Sequence, residues 1–465
     1  MISRLRIDVM AAVRFGVQQP FPQRGNKRHK VRTGDCMIVY LIAYAGSYAL
    51  ARGEHYYLSG ILLILAAIWL YLKDYRHFGN LIHLRGVFSL SWVGGQGLAC
   101  LKLSHLQKDW MLMTWICLGL AFVGFWVVFE VMSRLYGTGY DSHSRWRSFT
   151  GNPRPMFHMV CGLTAVSLAA FLTEAAVLGY VPLFVRGVPH AYSQFHLTGI
   201  HYITVSCVLV PSVAVLYFHM ERGRGSERRM LLASLMTGIS LILPILCVSR
   251  FQFVFAVILA GFTYISLQRR FQPLYLIGLA VVILPVYLLL TVARSHDVEY
   301  LNGIFEMRYA QMPIFITQPY MYIANNYDNF NCLVEALPHH TFGLRGLFPL
   351  WALTGLKFVF PDLINFPIYV DKKELTTLTL FYDAYYDFGW PGVLGFSCLL
   401  GLAAYLLVLK LREMRNPIGY LLYAQMGAYL MLSFFTTWFS NTTTWFYLIV
   451  TGLMAIYYYL NEHHK

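Results

Sequence analysis

Arginines at the ends of apolar runs are the residues of this sequence with the clearest capacity for chemistry. Arg250 stands in Val248-Ser249-Arg250-Phe251, the only break between two apolar runs, and Arg294 closes a later run. A guanidinium near hydrocarbon costs about 2.5 to 3.5 kcal/mol on insertion scales, so each of these side chains needs a partner. Arginine can bind phosphate oxygens through two parallel hydrogen bonds. The candidates for binding a diphosphate are Arg250, Arg294, Arg186 and Arg308. The alternative is that they pair with lipid headgroups or with loop carboxylates.

Composition indicates what must position these arginines. The 465 residues are 57% hydrophobic and 12% charged, with a mean hydropathy of +0.53, whereas soluble domains carry about 25% charged residues. Such a chain cannot cover itself with a hydrated surface, so we expect one integral membrane domain. The net charge of +14 could indicate nucleic-acid binding. The basic residues lie mostly in short segments between apolar runs and no nucleic-acid motif accompanies them, so we expect no nucleic-acid partner.

The apolar runs predict an all-α polytopic fold with about twelve membrane-spanning helices. A spanning helix needs about 20 mostly apolar residues. The predicted spans are 36–52, 56–73, 85–103, 110–132, 156–178, 197–219, 229–247, 250–268, 272–293, 388–410, 418–437 and 440–460.

The distribution of Lys and Arg predicts the orientation of these spans. Most of the 36 basic residues fall in one set of alternating loops, and such loops stay in the cytoplasm. Both termini are therefore predicted to be cytoplasmic. The predicted organisation is a cytoplasmic basic segment 1–35, helices 1–9 in 36–293, an extracytoplasmic loop 294–387 with short interfacial or re-entrant helices, helices 10–12 in 388–460, and a cytoplasmic tail 461–465.

Several short motifs resemble one family. Gly179-Tyr180-Val181-Pro182-Leu183-Phe184, followed by Arg186, resembles the Gly-x-x-Pro-Leu-Phe pattern of bacterial O-antigen and oligosaccharide repeat-unit polymerases (Wzy-type), and Ser249-Arg250 resembles their Ser/Thr-Arg turn. Asn326-Tyr327-Asp328-Asn329-Phe330 and Tyr386-Asp387-Phe388-Gly389-Trp390-Pro391-Gly392 are similar to their large outer loop and the entry to the next helix. The motifs cover roughly residues 175 to 395.

The resemblance implies a glycosyltransferase C-like membrane fold and a metal-independent glycosyltransferase. Its donor would be a glycan on polyprenyl diphosphate, and its acceptor a hydroxyl of a new lipid-linked repeat. The product would be O-antigen, capsule or exopolysaccharide on the outer face of the bacterial cytoplasmic (inner) membrane. A chain-length regulator and a repeat-unit flippase would be partners, and no cofactor is expected.

This chemistry also needs a base that removes the acceptor proton. The candidates for catalysis are His339, His340, Asp387 and Glu335. Asp387 could equally cap a helix, and two adjacent histidines without a spaced third ligand do not predict a metal site. The candidates for sugar contact are Tyr327, Asp328, Arg345 and Tyr386.

Two other functions remain open at this stage. A ligase that transfers the glycan to a different acceptor would use almost the same chemistry. A transporter or flippase of lipid-linked sugars would also fit twelve spans, but it would favour repeated halves and charges near the membrane midplane. The sequence instead has one asymmetric outer loop with arginines at helix ends.

Overall fold

The computed structural model describes residues 34–137, 151–185, 191–222, 224, 226–268, 298–309, 311–411 and 413–463. Within these ranges the chain is helical and forms no β-strand; its extended pairing is an isolated bridge between Ser104 and Met307. The predicted all-α fold class is therefore confirmed for the described part of the chain.

The principal helices are numbered here in chain order. The third is continuous but built from three segments, Leu84–Phe88, the π-helical Ser89–Val93 and Gly94–Cys100, together called α3. The others are α1 (Gly34–Arg52), α2 (Tyr56–Phe78), α4 (Leu112–Tyr136), α5 (Arg154–Leu178), α6 (Ile200–Glu221), α7 (Glu227–Leu246), α8 (Arg250–Leu267), α9 (Val298–Phe305), α10 (Ile314–Ala336), α11 (Phe348–Leu353), α12 (Tyr382–Lys410), α13 (Ile418–Met431) and α14 (Thr442–His463).

Eight of the described helices are long and apolar enough to cross a membrane: α2, α4, α5, α6, α7, α8, α12 and α14. They coincide with eight predicted spans. The predicted runs 36–52, 85–103 and 418–437 also contain helices, α1, α3 and α13. The apolar part of α1, Cys36–Arg52, is shorter than the eight spans, as are α3 and α13. The run 272–293 lies outside the described residues. The described chain thus has the fold of a polytopic membrane protein, and the total of twelve spans stays a prediction.

The segment 298–381 packs on one end of the helices, which we call the outer end; the opposite end is the inner end. The sequence predicted short helices in this segment, and α9 and α11 are short, but α10 has 23 residues and is largely buried. Its polar side chains bond to several neighbours: Asn326 donates to Phe434 O at 2.6 Å, and Tyr327 Oη donates to Trp92 O at 2.8 Å. Burial of this polar helix is possible because its side chains find such partners.

Helix α3 is irregular in its middle and tightly packed beyond it. A π-helical turn accommodates one residue more than an α-helical turn, and here it spans Ser89–Val93. Within it, Ser91 Oγ donates to Met431 O at 2.5 Å, which ties α3 to α13. Further along, a Cβ atom on Gly97 would lie 2.9 Å from Gly60 O. The glycines therefore allow α2 and α3 to approach closely, as small residues do in membrane helices.

A buried ionic cluster joins α2, α3 and α4 near the inner end. Arg85 is 3% exposed; its Nε donates to Asp74 Oδ2 at 2.9 Å and its Nη1 to Glu130 Oε2 at 2.8 Å. The guanidinium also lies 5.1 Å from the Trp126 ring centroid. Arg134 Nε also donates to Glu130 Oε1 at 2.8 Å, so two arginines balance the two carboxylates. The cluster therefore fixes the relative position of three helices.

Candidate functional site

The turn 432–441 between α13 and α14, called the outer turn below, is a meeting point of the outer elements. The Phe251 ring of α8 stacks on the Phe435 ring with centroids 5.0 Å apart. Asn326 of α10 donates to Phe434 O in the same turn. The outer turn therefore brings the beginning of α8 next to α10 and the outer segment.

Arg250 begins α8 and is 6% exposed. It follows a strained turn, because Val248 has a φ of +52° and is also buried. A β-branched residue rarely adopts this left-handed conformation, which costs about 1–3 kcal/mol and is found most often at functional sites. The N-terminus of an 18-residue helix adds a positive partial charge beside the guanidinium. Together these features favour an anion at the outer end of α8.

Arg345 lies in a polar cluster at the outer end, against the beginning of α12. Its Nε donates to Asp383 Oδ1 at 2.5 Å, and its guanidinium carbon lies 4.4 Å from the Tyr386 ring centroid. Burial alone would lower the pKa of Arg345, but the Asp383 carboxylate outweighs that effect and raises the pKa above its ordinary value. Nη1 also donates to the carbonyls of Phe366 and Pro367. Arg345 therefore stays charged and holds several chain segments together.

Asp387 anchors the turn that carries Arg345. Its side chain accepts from Thr341 Oγ1, from Arg345 N at 3.2 Å and from Gly346 N at 2.7 Å. A Cβ on Gly346 would lie 4.0 Å from Ser440 Oγ, so this turn also approaches the outer turn. Asp387 thus caps backbone N–H groups of the outer segment instead of those of its own helix. Its predicted catalytic role stays a prediction.

His340 borders this cluster. Its Nδ1 lies 3.3 Å from Tyr386 O, and the side chain is exposed. Gly389 has a φ of +64°, and a Cβ there would lie 3.0 Å from His340 Nε2, so glycine suits this kink in both conformation and space. His339 and Glu335 are exposed nearby in sequence. The structure therefore joins four predicted site residues in one cluster: His340, Arg345, Tyr386 and Asp387.

Tyr327 and Asp328 lie elsewhere, inside the protein. Tyr327 is fully buried, and Asp328 is 3% exposed and accepts from Trp110 Nε1 at 2.7 Å and Gln107 Nε2 at 2.9 Å. Burial raises the pKa of Asp328 to about 7, although these two hydrogen bonds oppose the rise. In this conformation neither residue offers a surface to a sugar, so their predicted role gains no support from their position.

Arg308 lies on the far side of α10 from Arg250. Its backbone N–H donates to Leu103 O at 2.8 Å, and Leu103 N donates to Tyr320 Oη at 2.9 Å. Tyr322 meets the outer turn instead. Residues two positions apart in a helix are rotated by about 200°, so they point to nearly opposite faces. The structure therefore does not bring Arg308 together with Arg250. The other predicted diphosphate ligands, outside the described residues, are Arg186 and Arg294.

Two outer carboxylates were not predicted from the sequence. Asp383 is the ion-pair partner of Arg345 and stands four residues before Asp387, a spacing that puts both on one helical face. Glu174 is fully buried and accepts from His201 Nδ1 at 3.0 Å and Thr204 Oγ1 at 2.7 Å. A carboxylate within an apolar run is itself a signal of a polar site, and Glu174 could have been found in this way.

In the ranges covered by the structure, no three His, Cys, Asp or Glu side chains are grouped so that they could hold a metal ion. Comparison with protein-family models, with curated proteins and with solved structures finds no match to this chain. The chain is, over its described residues, an all-helical protein whose apolar helices are typical of an embedded, polytopic membrane protein.

Proposed function

We propose that this chain is a metal-independent glycosyltransferase that joins polyprenyl-diphosphate-linked oligosaccharide repeats into O-antigen, capsule or exopolysaccharide. The observation that carries the proposal is the position of Arg250. It is a buried guanidinium at a helix N-terminus, after a strained valine, and its helix packs on the outer turn. The same turn is approached by the segment that Asp387 anchors. The proposed anion site and a polar cluster thus border one structural element.

In the proposed reaction, the beginning of α8 would stabilise the leaving group and the cluster around Asp387 would supply the base. Arg250 and the N-terminus of α8 would stabilise the negative charge that develops on the departing diphosphate. The acceptor hydroxyl oxygen would bond to the anomeric carbon of the donor sugar while the bond from that carbon to the diphosphate oxygen breaks. The electron pair would leave with the diphosphate, and the hydroxyl proton would pass to a base, for which we assign His340.

The membrane arrangement belongs to the same proposal. We infer twelve spans in a glycosyltransferase C-like fold, with both termini in the cytoplasm and the clusters on the outer face of a bacterial inner membrane. The long isoprenoid tail would then lie in the bilayer while the glycan extends outward. A repeat-unit flippase would supply the substrate, and a chain-length regulator would set the product length.

The buried charges argue for an enzyme over a carrier. A carrier is expected to use charged groups near the midplane that exchange partners during transport. Arg85, the buried arginine nearest the inner end, is paired with two carboxylates of neighbouring helices. Such a closed cluster suits a fixed scaffold.

Purified protein in detergent tests the proposal. It is incubated with lipid-linked repeats and a chelator, without nucleotide, and the products are separated by size. Wild-type protein should give a ladder. Arg250→Ala should slow chain lengthening roughly 10²- to 10³-fold, the usual effect of removing one group that stabilises a developing anion. The exposed outer lysine Lys373 provides a matched control, and Lys373→Ala should polymerise like wild type.

The alternatives give different products in the same assay. Transfer of the glycan to a second kind of acceptor lipid, without a ladder, would identify a ligase. Passage of repeats across vesicles without lengthening would identify a carrier. A normal ladder from Arg250→Ala at normal abundance would remove Arg250 from the reaction.

A further inference from the structure

A polar cavity of about 250 Å³ opens at the inner end, away from the clusters just described. It is formed where α5 and α7 begin and α6 ends. The residues that line it are Asn152, Pro153, Arg154, Glu221, Arg224 and Arg229.

The lining of this inner cavity is suited to an anion. Three of its six residues are arginines, contributed by separate elements of the chain. Arg224 Nη1 donates to Gly151 O at 3.0 Å, which holds that side chain beside the residues that precede α5. The N-termini of α5 and α7, helices of 25 and 20 residues, add positive partial charge at the same end. Arginine side chains and helix N-termini are the usual protein ligands of phosphate groups.

Glu221 adds a carboxylate to the lining of the inner cavity, and this group favours a cation. It is 1% exposed and lies 3.6 Å from Arg229 Nη2. Neither of its carboxylate oxygens accepts a hydrogen bond from the part of the chain that the structure describes. A buried carboxylate without hydrogen bonds is costly. A donor in the adjacent cavity would remove that cost, and an ammonium group supplies both the positive charge and the N–H bonds.

We propose that the inner cavity binds a phosphoethanolamine group, with the phosphate toward the arginines and the ammonium toward Glu221. The favoured source is the headgroup of phosphatidylethanolamine. The cavity lies at the ends of three apolar helices, where lipid headgroups lie, and it is smaller than the roughly 300–1,000 Å³ of drug-sized sites. This inference depends on the membrane fold alone and not on the proposed polymerase activity.

Lipid titration followed by native mass spectrometry tests the site. Delipidated full-length protein in detergent is titrated with phosphatidylethanolamine, phosphatidylcholine and phosphatidylglycerol. Phosphatidylethanolamine should bind about tenfold or more tightly than the other two, because the choline headgroup has no N–H bond and the glycerol headgroup has no cation. Glu221→Gln should abolish this preference, whereas Arg224→Ala should weaken phosphatidylethanolamine and phosphatidylglycerol alike. Arg228→Ala, next to the cavity but outside its lining, is the control and should change neither.

Two results would overturn the proposal: equal binding of the three lipids by wild type, or a preference that persists in Glu221→Gln. Should Glu221→Gln fail to fold, the wild-type comparison and Arg224→Ala still decide. Competition with soluble O-phosphoethanolamine identifies the source of the group. Displacement of bound lipid at comparable concentrations would assign the site to the soluble ester, and retention of the lipid would assign it to the membrane.

Discussion

Replacing Asp387 by asparagine should loosen the turn that carries Arg345 while the membrane helices stay folded. One carboxylate oxygen accepts from Thr341 Oγ1 and Arg345 N, and the other accepts from Gly346 N at 2.7 Å. An asparagine side chain has only one acceptor oxygen. Whichever way it is turned, its NH₂ group must face a backbone N–H, so at least one of the two backbone hydrogen bonds is lost.

The size of the effect follows from the charge on the acceptor. A hydrogen bond to a charged group contributes about 1.5–3 kcal/mol. The free energy of local opening of residues 341–347 should fall by that amount. Since about 1.4 kcal/mol corresponds to a factor of ten, amide hydrogen exchange in this turn should become about ten- to a hundredfold faster.

Hydrogen exchange followed by mass spectrometry measures this change directly. Peptides covering 341–347 are compared between wild type and Asp387→Asn, with peptides from the membrane helices as internal references. Asp362 is an exposed carboxylate of the same outer segment, and Asp362→Asn is the control that should exchange like wild type. Unchanged exchange in 341–347 of Asp387→Asn would refute the anchoring role of this carboxylate.

Three further predictions concern stability and catalysis. Arg85→Leu leaves the buried Asp74 carboxylate without its guanidinium partner and leaves Glu130 with Arg134 alone, so it should lower the free energy of unfolding by about 3–5 kcal/mol; an unchanged midpoint in denaturing detergent would contradict this. The pKa of Asp328 is raised from 3.8 to about 7 in the folded protein, so this carboxyl group ionises at lower pH in the unfolded chain. The free energy of unfolding should therefore fall by about 4 kcal/mol as the pH rises from about 4 to about 7. Asp328→Asn should flatten that profile. His340→Ala should slow polymerisation about 10²- to 10⁴-fold, with adjacent His339→Ala as the control; equal rates in the two variants would exclude His340 as the base.

Much of the fold could be predicted from hydropathy, because a spanning helix must be apolar over nearly its whole length. Helix α10 could not. Its sequence is rich in Asn and Tyr, and it is stable inside the protein because individual side chains meet particular carbonyls, such as Asn329 Nδ2 with Leu375 O at 2.8 Å. Those partners come from distant parts of the chain. The spacing of apolar residues along the sequence does not indicate these partners.

The candidate site could be predicted from the sequence only in part. Arg250 could be recognised because its break between apolar runs is so short. Its neighbours could not be, since the separation of Arg308 depends on which face of α10 meets the outer turn. The link between Arg345 and Asp383 spans 38 positions, and only the folded outer segment brings the two side chains together.

The π-helical turn Ser89–Val93 determines which one-residue deletions α3 can tolerate. The wider turn takes up its additional residue over nearly the same rotation and rise as an α-helical turn, so the helix on either side keeps its phase. A one-residue deletion within Ser89–Val93 should therefore convert it to an α-helical turn and leave Gly97 facing Gly60. The α-helical segment Gly94–Cys100 has no additional residue to lose, so a deletion at its beginning would rotate the residues beyond it by about 100° and turn Gly97 away from Gly60.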